Sequence, residues 1–81
     1  MGTMSKTLHT QEYQKLVKWL VKSRLERGFT VRQLAQRLDV AHSYVGKVEK
    51  CERRLDILEY TNYCKALGIS PSKGIRTLQK K

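Results

Sequence analysis

Apolar residues in this chain recur every three or four positions and never alternate over the length of a strand, a pattern that predicts helices throughout. Tyr13, Leu16, Val17, Leu20 and Arg24 share one face of a first helix. Thr10 is placed to cap it, Glu12 suits its positive first turn, and Gly28 stops it. Phe29 to Leu34 then carries a second start: Thr30 and Gln33 form a capping box, with Phe29 and Leu34 as the hydrophobic staple. The next stretch, "LAQRLDVAHSYVGKVE", has apolar residues at Leu34, Ala35, Leu38, Val40, Val45 and Val48, but Asp39-Val40-Ala41 breaks their rhythm. The prediction is two short helices, from Val31 to Leu38 and from Ala41 or His42 to Lys50, joined by a tight turn.

After the basic loop "KCERR", Asp56 and Glu59 form another capping box, flanked by Leu55 and Tyr60. Ile57, Tyr60, Thr61, Cys64 and Leu67 read as the buried stripe of a fourth helix ending at Gly68. Ser70-Pro71 opens a short fifth helix bearing Ile75 and Leu78, which Gly74 should weaken. Residues 1 to 9 have no core-facing pattern and read as a flexible basic arm, with "MGTM" compatible with a cloning remnant ahead of a start at Met4. The expected fold is all-α, a five-helix bundle forming one domain over residues 10 to 81.

Two short helices crossing at a tight turn need a small residue where they meet, and Ala35 supplies it. Leu34, Leu38, Val40, Val45 and Val48 would converge on the core. The outer face of the third helix is then left with His42, Ser43, Tyr44, Gly46, Lys47 and Lys50, on a helix narrow enough to enter a DNA major groove.

Charge turns that face toward a polyanion. Seventeen Lys and Arg against seven Asp and Glu give a formal net charge of +10 in 81 residues. Nucleic acid, a membrane surface and an acidic protein are the candidate partners. No apolar run approaches a membrane span and the N-terminus has no signal-peptide core, so the expected location is cytoplasmic and nucleoid-associated. Cys51 and Cys64 are expected as thiols, and with His9 and His42 they offer no paired spacing for a metal. No cofactor or small-molecule ligand is expected. An enzyme is disfavoured because no nucleophile, base and acid set or phosphate-cradling glycine loop is present, and RNA because stacking platforms are missing.

The run "RLERGFTVRQLAQRLDVAHSYVGKVEKCERRLDILEYTNYCKALGIS", residues 24 to 70, resembles the Cro/C1-type helix-turn-helix domain, the XRE family, and the resemblance extends over roughly residues 13 to 70. The resemblance implies a lambda-repressor-like bundle whose helix-turn-helix spans about residues 31 to 50. It further implies a homodimer on a pseudo-palindromic double-stranded DNA operator and a transcriptional regulator, usually a repressor. It assigns base reading to Ala41, His42, Ser43 and Lys47. Phosphate contacts fall to the opening of the second helix (Thr30, Val31, Arg32 and Gln33), to Tyr44, and to Lys50, Arg53 and Arg54 in and around the basic loop. It also pairs Arg24 with Glu49 as a structural ion pair. Ile75, Leu78 and the end of the fourth helix are the expected dimer surface.

Three positions depart from the family's habit. Val31 stands where a phosphate-binding Gln is common, and Asp39 and Cys51 stand where the turn and the end of the recognition helix normally use glycine. Small relatives of this kind also suggest two alternatives: an antitoxin that binds a toxin and represses its own operon, and a restriction-modification controller. Polymerase is a further possible protein partner.

Overall fold

A computed structural model describes residues 10–79. Among these residues there are five helices: α1 (Gln11–Glu26), α2 (Val31–Leu38), α3 (His42–Glu49), α4 (Ile57–Leu67) and α5 (Pro71–Gln79). The expected arm at residues 1 to 9 lies outside the described residues.

The predicted starts are present at atomic detail. The Thr10 side chain accepts the Tyr13 amide, and capping boxes open α2 through Thr30 and Gln33 and α4 through Asp56 and Glu59. The helix ends share a second device. After each of α1, α2, α3 and α4 the backbone turns left-handed, at Gly28, Asp39, Cys51 and Gly68. The residue that follows donates back across five positions: Phe29 to Arg24, Val40 to Ala35, Glu52 to Lys47 and Ile69 to Cys64. Three of those followers, Phe29, Val40 and Ile69, pack against the core, so each closure folds the chain inward as it satisfies an orphan carbonyl. Glu52 is the exception and stays exposed.

The core gathers Leu16 and Leu20 from α1, Leu34 and Ala35 from α2, Val45 and Val48 from α3, and Tyr60, Tyr63, Cys64 and Leu67 from α4. Ala35 is 2% exposed, with no room for a larger side chain, and its carbonyl accepts the Val40 amide at 3.0 Å, which ties α2 to the turn ahead of α3. The α4 stripe differs from the sequence expectation. Ile57 is 66% exposed and Thr61 only half-buried, while Tyr63 is fully enclosed. A 3.6-residue period fits both stripes, and the first turn of α4 projects past the rim of the bundle.

Gly74 also has a different role from the one expected. It is buried, and a methyl group there would lie 2.5 Å from Trp19 Cζ3 and collide with the Tyr60 hydroxyl. The absent side chain is what lets α5 lie against α1 and α4, where Tyr60 also donates 2.5 Å to the Pro71 carbonyl. Trp19 and Leu78 both pack on the core.

Of the two non-glycine closures, Cys51 (φ 60°) bears the larger strain, because Asp tolerates the left-handed region better than most residues. Cys51→Gly should raise the unfolding free energy by up to about 1 kcal/mol, and Asp39→Gly by less. Urea denaturation checks both; a loss of stability in Cys51→Gly contradicts this account of the α3 terminus.

Candidate nucleic-acid interface

The geometry of the exposed α3 face begins with the pair that aims it. Arg24 on α1 donates Nε to Glu49 Oε2 at 2.6 Å and Nη2 to Oε1 at 3.1 Å, while its Nη1 reaches the Phe29 carbonyl at 2.7 Å. The two side chains are 11% and 14% exposed. One guanidinium thus joins α1, the loop after it and the last residue of α3. Tyr63 lies against the same pair, and burial, reinforced by the Glu49 charge, pushes its hydroxyl well above the ordinary range.

With its C-terminal end so fixed, α3 presents Ala41, His42, Ser43, Lys47 and Lys50 to solvent. Ala41 caps the helix without a side-chain hydrogen bond. The His42 and Ser43 amides are therefore left without a capping partner on the protein, as donors at the exposed end. Gly46 lies on the same helix, and a methyl group added there would meet nothing within 4 Å. The fold therefore does not require this glycine, although it weakens an isolated helix. Ser43, Tyr44, Lys47, Glu52 and Arg53 line one shallow hollow, which places the acidic Glu52 beside the expected DNA contacts.

At α2 the capping box decides what remains available. The Thr30 amide is taken by Gln33 Oε1 (2.8 Å) and the Gln33 amide by Thr30 Oγ1 (3.1 Å). Only the Val31 and Arg32 amides of that first turn remain for an anion. The Val31 side chain packs on the core, whereas Arg32 is exposed.

The cations divide the same way. Arg27 donates to the Gly68 carbonyl at 2.9 Å, and Arg37 donates to the Ala66 carbonyl at 2.8 Å while lying over the Phe29 ring. Arg53 is tied to Glu59 Oε2 at 2.5 Å and stacked 4.6 Å from the Tyr44 ring centroid. Arg32, Lys47, Lys50 and Arg54 are exposed, and their side chains make no hydrogen bond or ion pair among the described residues. Tyr44 is half-buried; burial raises its hydroxyl above the ordinary value, so it stays protonated as a donor at neutral pH, with the Arg53 guanidinium partly opposing that rise.

The expected dimer residues separate in the structure. Ile75 is 37% exposed and lines a hollow with Ile57, whereas Leu78 is half-buried against the core. Ile57 and Leu58, at 66% and 71% exposure, are the more prominent apolar residues near that edge. The sequence reading places Ile57 in the buried stripe and gives Leu58 no role.

A helix-turn-helix family model matches residues 20–73, from within α1 to within α5. Among solved structures, an XRE-family like protein from Pseudomonas syringae pv. tomato str. DC3000 is 36% identical, over 96% of this chain and 95% of that one, with a TM-score of 0.83. No curated protein matches. No helix among the described residues is long and apolar enough to cross a membrane.

Arg24→Ala should cost about 3 kcal/mol of stability, because it strands the enclosed Glu49 carboxylate and the Phe29 carbonyl together. Chemical denaturation measures it. Glu49→Ala should cost a similar amount and the double variant less than the sum; full additivity would mean that the pair is not coupled.

Proposed function

The chain belongs to the Cro/C1-type (XRE) helix-turn-helix family of DNA-binding transcriptional regulators, and on that premise we propose that it is a repressor acting as a homodimer on a pseudo-palindromic operator. The observation that carries this reading is the α3 face: exposed short and polar side chains on a helix whose angle is held from behind, bordered by unpaired cations.

In this reading α3 enters the major groove, where Lys47 donates to guanine O6 or N7 and His42 and Ser43 hydrogen-bond neighbouring base edges. Ala41 supplies a small apolar contact. The Val31 and Arg32 amides, with the Arg32, Lys50, Arg54 and Tyr44 side chains, engage phosphates and set the register without reading sequence. Two copies place their α3 helices in successive major grooves about 34 Å apart. Ile57, Leu58 and Ile75 offer the apolar edge for self-association, and bound DNA blocks polymerase or alters its recruitment.

One feature favours a second reading, the antitoxin. Val17, Val21 and Leu25 line an open groove along α1 with Cys51, bordered by Lys18, Lys22 and Lys50. Leu25 is 62% exposed there. Glu26 and Glu49 also line the groove; an apolar floor with a mixed, net basic rim suits a protein partner, and it leaves Ala41, His42, Ser43 and Lys47 unoccupied.

Selection of bound duplexes from a random pool supplies the ligand for the test. Lys47→Ala should then lose about 1–3 kcal/mol on the selected duplex and relax base preference at one position. Equal loss on selected and random DNA would remove Lys47 from the readers. Gly46→Ala should stabilise the fold by up to about 1 kcal/mol yet weaken binding to the selected duplex, because the added methyl stands on the groove-facing surface. Unchanged affinity in a more stable Gly46→Ala would place that surface away from the DNA.

A further inference from the structure

Unlike Lys47, Lys50 and Arg54, Arg53 is held at both its backbone and its side chain. Its carbonyl accepts the Tyr13 hydroxyl at 3.0 Å, and the same hydroxyl accepts the Leu55 amide at 3.3 Å, which pins the loop to α1. Its guanidinium lies between Glu59 on α4 and the face of Tyr44 on α3, with Nε buried and without a hydrogen-bond partner. Glu59 is itself fully used: Oε2 takes Arg53 and Oε1 accepts the Asp56 amide at 3.0 Å in the α4 capping box. The Arg53 side chain is 41% exposed, yet a phosphate that took Nη2 would have to displace a carboxylate and disturb an aromatic face that already match its charge and planar shape. Arg54, Lys50 and Lys47 carry no such engagement.

We propose that Arg53 is a positioning residue that fixes the Tyr44 ring on the DNA-facing side of α3, and that it does not bind phosphate. This rests on the reading of α3 as the DNA-contacting helix. The clamp runs from the capped start of α4 through the guanidinium to Tyr44. Tyr44 therefore enters the complex already ordered, and its hydroxyl is delivered to the sugar-phosphate backbone without the loss of rotamer freedom that an unheld side chain suffers. Because Glu59 cancels the Arg53 charge before and after binding, Arg53 releases no counterion of its own.

Affinity for the selected duplex, measured across a salt series for Arg53→Lys, Arg53→Gln, Tyr44→Leu and the Arg53→Gln/Tyr44→Leu pair, tests this. A lysine keeps the charge but loses the planar stack, so Arg53→Lys should bind about tenfold more weakly. Arg53→Gln should leave the slope of log K against log salt unchanged, and should cost little more once Tyr44 is already Leu. In the free protein, the upfield ring-current shift of the Arg53 side-chain protons should vanish in Tyr44→Leu, a readout independent of DNA. The proposal is overturned if Arg53→Lys binds like the unaltered chain, if Arg53→Gln lowers the slope by about 0.9, or if the two changes add. An unaltered chain that cannot tell the selected duplex from a scrambled one overturns the DNA reading itself, an outcome distinct from failure of the clamp with discrimination intact.

Discussion

The three hydrogen bonds of the Arg24 side chain are the constraint on which the rest of the structure depends. Helices of eight residues such as α2 and α3 are too short to be stable alone, and a tight turn between them does not fix their angle to α1. A fork that grips both oxygens of Glu49 and the Phe29 carbonyl fixes that angle at the last residue of α3, behind its exposed face. The pair is nearly enclosed, so its value lies less in net stability than in orientation: hydrophobic packing alone would permit α3 to roll and carry its exposed residues out of alignment.

Around that fixed point the basic residues serve two purposes. Arg24, Arg27, Arg37 and Arg53 are consumed in holding loops and helix ends to one another, through carboxylates, carbonyls and aromatic faces. Arg32, Lys47, Lys50 and Arg54 are left unpaired near the exposed α3 face. The formal charge of +10 already subtracts Glu49 and Glu59, so these engagements decide where the cations are held and leave the net charge unchanged.

What could be read from the sequence was what local chemistry decides. The boxes at Thr30 and Asp56, the stop at Gly28 and the break at Asp39-Val40-Ala41 each involve residues within a few positions of one another, and each is present as expected. The left-handed turns at Asp39 and Cys51 were legible only through the family's preference for glycine there. Tyr63 in place of Ile57 was not legible, because one helical period accommodates either stripe and only the bundle's rim chooses between them. The same holds for Gly74, which looked like a defect and is a point of close approach to Trp19 on α1. The occupation of Arg53 depends on Tyr13, Tyr44 and Glu59, contributed by three different helices, so charge and spacing alone grouped it with its free neighbours.

The central claim is that DNA is held by the N-terminal turns of α2 and α3, the outer face of α3 and the loop after it. Backbone amide NMR of the chain titrated with its selected duplex tests this most directly. The account predicts that the largest shifts cluster at Val31, Arg32, His42, Ser43, Gly46, Lys47, Lys50 and Arg54, with Val21 and Leu25 in the α1 groove unmoved. Dominant shifts along α1 or α5, with α3 silent, would contradict it.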